Sequence, residues 1–204
     1  MKLLLFDFDG VLVDSLDVYE RTVTDCLQQI GHPLTRGREE FLELFDGNFY
    51  ESLVAKGVDL GKFMAVSVDI LSKVNYAEMK PFDAMRPVLH ELKKSHPMIV
   101  ISSNDTPTIR EALRLYNFNG IFQEILGSDF MLSKKDKILY AAKKYNTTLH
   151  DIYYIGDTTG DIKEGRQAGI KTVGVTWGWH NKEKMAASNP DYLFDDPQEL
   201  LKLN

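Results

Sequence analysis

An apolar run that ends in two alternating aspartates limits this chain more than any other stretch: Leu3-Leu4-Leu5-Phe6-Asp7-Phe8-Asp9-Gly10-Val11-Leu12-Val13-Asp14-Ser15. Leu3 to Phe6 has the length and β-forming character of a strand buried on both faces, as in a parallel sheet. Gly10 is the turn residue that ends it. Asp7 and Asp9 are therefore expected at the carboxyl end of that strand, and open α/β sheets bind their ligands in the crevice outside those ends. Two adjacent carboxylates repel one another, so the pair needs a positive partner, either a divalent cation or a phosphoryl group held by one. In such a setting one carboxylate can act as nucleophile and the other as proton carrier.

The remaining pattern supplies the sheet that the opening strand needs. Leu16, Tyr19, Val23, Leu27 and Ile30 recur at helical spacing, with Ser15 or Asp14 as the starting cap, Gly31 at the C-cap and Pro33 beyond it. Helices are expected over 39–45, 50–56 and 60–74, separated by Asp46-Gly47-Asn48 and by 57–60. From Lys80-Pro81-Phe82-Asp83 onward the character changes to alternation. Helix 84–94, strand 98–101, helix 106–116, strand 122–126, helix 136–145, strand 152–155, helix 160–168, strand 171–175, a short strand 192–194 and a last helix 197–203 follow one another. Such alternation implies right-handed βαβ units and a mainly parallel sheet. The expected fold class is α/β, a Rossmann-like mainly parallel core (residues 1–14 and 81–204) with an inserted all-helical domain (residues 15–80). Hinges are expected near Asp14-Ser15 and Met79 to Asp83.

Later strands deliver further polar groups to the same edge. Met98-Ile99-Val100-Ile101 runs into Ser102-Ser103-Asn104-Asp105, where a hydroxyl and the following backbone N–H groups can grip phosphate oxygens. Ser102 is the first polar residue after the strand and Ser103 its adjacent alternative; a helix cap before Thr106-Pro107 is the competing role. Ile152-Tyr153-Tyr154-Ile155-Gly156-Asp157-Thr158-Thr159-Gly160-Asp161 carries a second acid pair, and a turn opening into a helix can aim Asp157 and Asp161 at one point. Ser133-Lys134-Lys135-Asp136-Lys137 precedes a helix and offers cations. His32, His90, His96, His150 and His180 show no metal-ligand spacing.

These stretches, in this order, resemble the motifs of the haloacid dehalogenase (HAD) superfamily. Phe6-Asp7-Phe8-Asp9-Gly10-Val11-Leu12-Val13-Asp14-Ser15 is similar to its first motif, Ser102 to the second, the lysine cluster to the third and Gly156-Asp157 through Asp161 to the fourth. Gly174-Val175-Thr176-Trp177-Gly178 resembles a segment of the phosphoglycolate phosphatase-like branch, and the layout resembles its small helical cap of the C1 type. The resemblance implies Mg²⁺-dependent hydrolysis of a small phosphate monoester through an aspartyl-phosphate. Asp7 is then the nucleophile and Asp9 the general acid and base. Ser102, with Ser103 and Asn104 beside it, and Lys134 hold the phosphate. Lys134 is favoured over Lys135 because it stands four residues before the helical Ile138. Asp7, Asp9 through its backbone carbonyl and Asp157 are the expected Mg²⁺ ligands, supported by Asp161 and Gly10. Mg²⁺ suits few carboxylates plus waters and a phosphate oxygen, and it offsets two charges of an otherwise strongly anionic site. A dehalogenase or phosphonatase of the family lacks an acid at the position of Asp9. A β-phosphoglucomutase-like sugar-phosphate mutase keeps these residues and is the nearest rival; a receiver-type or non-catalytic phosphate-binding module is the rival from another class.

The bulk properties are compatible with this reading. A net charge of −6 and a pI near 5.4 argue against nucleic acid or an anionic membrane as the main partner, leaving a small phosphorylated metabolite. The single cysteine, Cys26, precludes an intrachain disulfide, and Asp7 interrupts the opening apolar run before a signal-peptide core could form, so a cytoplasmic protein is expected. Arg21, Arg36, Arg38, Asn48 and Lys56 are the polar residues of the helical insert that could meet a leaving group, and Asp46-Gly47-Asn48 is the expected specificity loop. Nothing in the sequence bears on oligomeric state.

Overall fold

The computed structural model describes residues 1–75 and 78–204. Tyr76 and Ala77, which fall within the expected 15–80 insert, lie outside the described residues. The opening run is β1 (Leu3–Phe6), fully buried. A two-residue ladder joins β2 (Val13–Asp14) to β3 (Lys80–Pro81) in antiparallel register, Val13 opposite Pro81 and Asp14 opposite Lys80. The chain leaves the sheet layer at the first of these strands and returns at the second. Between them run α1 (Leu16–Gln29), α2 (Arg38–Glu43), α3 (Phe49–Ala55) and α4 (Leu60–Leu71). After the return come α5 (Met85–Leu92), β4 (Met98–Ile101), α6 (Thr106–Leu115), β5 (Glu124–Leu126), α7 (Lys134–Lys144), β6 (Ile152–Gly156), α8 (Thr159–Gln167), β7 (Lys171–Val175), α9 (Lys182–Ala187) and β8 (Tyr192–Phe194). The expected final helix is a 3-10 helix, Pro197–Leu203.

The six-stranded sheet has the order β5-β4-β1-β6-β7-β8, and every pairing in it is parallel. The chain grows outward from β1 to one side and then to the other. This is the doubly wound order, whose switch point lies between β1 and β6. Side chains of β1 alternate between the two faces: Leu4 and Phe6 pack with Val100, Leu89 and Leu113, whereas Leu3 and Leu5 pack with Ile99, Ile138 and Tyr154. The insert has its own apolar cluster, built on Tyr19, Phe41, Phe45, Phe49 and Phe63. Trp179, from the loop after β7, enters that cluster, its ring 4.8 Å from Phe45 and 5.6 Å from both Tyr19 and Phe41. Among the described residues, no helix is long and apolar enough to cross a membrane.

Some local expectations are corrected. Ser15 occupies the N-cap of α1 but makes no side-chain cap; its hydroxyl donates to Asp9 instead. The competing role of Ser102 as a cap falls to Asp105, which accepts from Thr108 N–H at the start of α6. Helix α7 begins at Lys134, capped by Ser133, so the lysine stands inside its first turn. Helix α9 carries one buried residue, Met185, and therefore leaves almost no apolar period to read.

Candidate active site

β1 and β6 end side by side, with Phe6 opposite Ile155. Their carboxyl ends deliver Asp7 and, after Gly156, Asp157 to one point. The backbone there is tight. Gly10, at φ +73°, lies so close that a Cβ would sit 1.9 Å from Asp157 Oδ2, and at Gly178 it would sit 2.3 Å from the same oxygen. Only glycine fits either place, which gives Gly10 a packing role and adds Gly178 to the site. Trp179 N–H donates to Asp157 Oδ2 at 2.7 Å.

Lys134 closes the cluster. Its ammonium donates to Asp7 Oδ2 at 2.5 Å and to Asp161 Oδ1 at 2.6 Å, with all three side chains buried. Lys135 is not in the cleft lining; its backbone N–H donates to Glu164. Asp161 is fully engaged: Oδ1 also accepts from Tyr154 OH, and Oδ2 accepts from Thr158 N–H and Oγ1. It is the third residue of a capping box begun by Thr158. Asp9 turns from this cluster and accepts from Ser15 Oγ at 2.7 Å. Ser102 and Ser103 line the same cleft as Asp7, Asp9, Lys134 and Asp157. Asn104 is buried, its Oδ1 accepting from Asp105 N–H and its Nδ2 left without a hydrogen-bond partner.

The charges are those of a site built for something positive. Burial pushes Asp7 up to about 8, against the pull of Lys134 and with Asp161 adding to the rise. Burial likewise lifts Asp9 to about 6, opposed by the Ser15 hydrogen bond and by Lys134. Asp157 stands well above the ordinary carboxylate range, from burial first and then from Asp161 and Asp7. Burial would lower Lys134, but Asp161 and Asp7 outweigh it and hold the ammonium charged.

A hard divalent cation fits this donor set. One oxygen from each of Asp7, Asp157 and Asp161 lies within 4.8 Å of the others. Asp157 Oδ1 is buried without a hydrogen-bond partner, an arrangement that is costly unless something occupies it. Asp161 spends its oxygens on Lys134, Tyr154 and Thr158, so Asp7 and Asp157 are the carboxylates with capacity to spare.

The polar residues singled out in the insert lie elsewhere. Arg21 pairs with Glu78, Arg36 with Glu43, Arg38 with Asp17 and Glu20, and Lys56 with Glu40. Asn48 caps α3 and donates to Glu164 and to the Leu132 carbonyl. The Asp46-Gly47-Asn48 turn sits on the start of α8, where Gly160 N–H donates to the Phe45 carbonyl at 2.9 Å. Lys137 is a further buried cation, its ammonium donating to the Ser102 carbonyl at 2.6 Å. Its sequence signal is its spacing of three from Lys134, which puts both on one helix face.

Residues 4–175 match the family model described as haloacid dehalogenase-like hydrolase, and the chain belongs to that family. Its relatives narrow the neighbourhood. The phosphoglycolate phosphatase of Vibrio parahaemolyticus is 25% identical over 100% of this chain and 96% of its own length, and that of Aquifex aeolicus 28% over 100% and 96%. Among solved structures, a haloacid dehalogenase-like family hydrolase from Streptococcus pneumoniae superposes with a TM-score of 0.81 at 23% identity, covering 99% of this chain and 97% of that one. These structures share the fold with this chain.

Proposed function

We propose that this hydrolase is a Mg²⁺-dependent phosphatase of small phosphate monoesters, with residues 15–80 as a cap over the site. The single observation that carries the reading is the buried group in which Lys134 bridges Asp7 and Asp161 while Asp157 Oδ1 stands unpartnered. Asp7, Asp157 and the backbone carbonyl of Asp9 would hold Mg²⁺, which when bound supplies positive charge that keeps Asp7 ionised and offsets the phosphate dianion. An oxygen of Asp7 attacks phosphorus as the ester P–O bond breaks, giving an aspartyl-phosphate, and Asp9 gives its proton to the departing alcohol oxygen. Asp9 then takes a proton from a water whose oxygen attacks phosphorus, and the bond to Asp7 breaks. An acid lifted to about 6 is partly protonated near neutrality, as the first step requires. Ser102, Ser103 and Lys134 orient the transferring group, and Lys134 spreads its charge.

The named activity of the curated relatives makes phosphoglycolate the reference ester. Phosphate release from a panel of monoesters, with Mg²⁺ and with chelator, tests the reading. Turnover is expected only with the metal, and Asp7→Asn lowers kcat/KM by more than about 10³-fold. Full activity of that variant, with its side chain verified as undeamidated, would remove Asp7 as nucleophile. Isomerisation of a hexose phosphate without net phosphate release would point to a mutase.

A further inference from the structure

Beside the cleft lies a second and much larger cavity, of about 380 Å³. Tyr19 and Ser103 line both, so the two adjoin where an ester bond would pass from phosphorus to its alcohol. The far wall belongs to the insert: Val23 of α1, Phe49 of α3, and Phe63, Met64, Val68 and Leu71 of α4. Four of its hydroxyls are committed to backbone carbonyls. Thr22 Oγ1 donates to the Val18 carbonyl, Ser67 Oγ to that of Met64, Ser72 Oγ to that of Asp69, and Tyr50 OH crosses to that of Ser103. Among the described residues no lysine, arginine or histidine lines it, and its only carboxylates are Asp105 and Asp129. The nearest cation on the cleft side, Lys134, is held between Asp7 and Asp161.

We propose that this cavity receives the leaving group, and that the leaving group is an uncharged alcohol with an apolar body, aromatic or branched aliphatic. The proposal rests on the phosphatase reading and narrows its substrate class. A carboxylate beside the phosphate would enter a space without a cation and with two acids on its wall, losing hydration for repulsion. A sugar would turn its hydroxyls toward phenylalanine, valine and methionine, where their hydrogen bonds to water are not replaced. An apolar body suits both the surface and the size. Aromatic walls favour flat rings, and a dry cavity of only about 150 Å³ already holds a benzene. Ser103, shared with the cleft, and Asn104 beside it offer polar donors where the ester and phosphate oxygens would lie.

The test compares alkyl phosphates of similar leaving-group basicity, so that intrinsic reactivity does not decide the order. 2-Phenylethyl phosphate is expected to exceed methyl phosphate, phosphoglycolate and glucose 6-phosphate in kcat/KM by about tenfold or more, the scale of burying one ring. Met64→Arg and Val68→Arg each bring a cation to the cavity; the second lies at an exposed position that the fold tolerates. Both should lower the ratio of 2-phenylethyl phosphate to phosphoglycolate by about tenfold. Calorimetric binding to Asp7→Asn gives the same comparison without turnover, with 2-phenylethyl phosphate expected tighter than phosphoglycolate. Absence of hydrolysis of every ester would overturn the phosphatase reading, the binding order still deciding the cavity's preference. Hydrolysis with phosphoglycolate or the sugar phosphate ahead, or ratios unmoved in both arginine variants, would overturn the leaving-group assignment and leave the phosphatase standing.

Discussion

Asp157 is held by its surroundings more firmly than it is satisfied by them. Glycines at 10 and 178 pack against its carboxylate and Trp179 N–H binds one oxygen, yet the other oxygen is buried without a partner. In metal-free protein that charge costs stability, and a cation reverses the sign. Asp157→Asn keeps the shape and removes the charge, so without metal the variant should melt no lower than wild type. Mg²⁺ at about 100 times its dissociation constant should stabilise wild type by roughly 2.7 kcal/mol and leave the variant unmoved. Thermal melts of both proteins with Mg²⁺ and with chelator decide it; an equal Mg²⁺ shift in the two would take Asp157 out of the metal site. Asp7, Asp9, Asp157 and Asp161 are legible in the sequence because each follows a strand at a fixed offset. The partners of these acids are less so. Lys134, Lys135 and Lys137 differ only in helix register, and a buried lysine has no signature apart from that register.

Helix α7 carries two buried cations on one face, three residues apart, and uses them differently. Lys134 meets the carboxylates, whereas Lys137 is covered completely and donates to the Ser102 carbonyl, fixing the end of β4. Burial and then the charge of Lys134 lower Lys137 to about 7, from an ordinary lysine value of 10.5. Below about 7 the folded and unfolded chains both carry this proton; between 7 and 10.5 the folded chain has lost it and the unfolded chain has not. The unfolded state then binds more protons, so this group's contribution to stability rises with pH across that window, with a slope approaching about 1.4 kcal/mol per unit. Lys137→Met removes the contribution. The difference in unfolding free energy between wild type and variant should therefore grow from pH 7 to pH 10 in denaturant titrations, and a flat difference would mean that Lys137 keeps its proton when folded. The elements themselves were largely readable: β1 and β4 are uninterrupted, fully buried apolar runs whose bounds match the apolar pattern, and β7 is readable at its observed bounds although Lys171 and Gly174 interrupt its β-forming residues. The β2–β3 ladder is two residues long on each side and has no period to detect.

The helical insert and the core meet through bonds that join residues far apart in the chain, and no local pattern announces them. Tyr50 OH reaches the Ser103 carbonyl, and Asn48 reaches Glu164. His180 Nδ1 accepts from Thr159 N–H at 3.1 Å, so Nε2 carries the proton and donates to the Leu42 carbonyl at 3.1 Å. The two backbones meet at Gly160, whose N–H donates to the Phe45 carbonyl. A Cβ there would lie 2.3 Å from the Gly47 carbonyl oxygen and 2.7 Å from that of Phe45, both backbone atoms that no rotamer change can move aside. Gly160→Ala therefore sets two effects against each other. Alanine favours helix α8 by up to about 1 kcal/mol, while its methyl group pushes the insert away from the cleft. The core should melt at or above the wild-type temperature, and the insert should lose its seat. With water admitted and the walls from Tyr19 and Phe45 displaced, kcat/KM should fall by at least about tenfold, and the radius of gyration from small-angle scattering should increase. Wild-type activity and dimensions in this variant would mean that the contact at Gly160 yields without cost, and that the aromatic cluster around Trp179 and the other bonds to the core hold the insert in place without it.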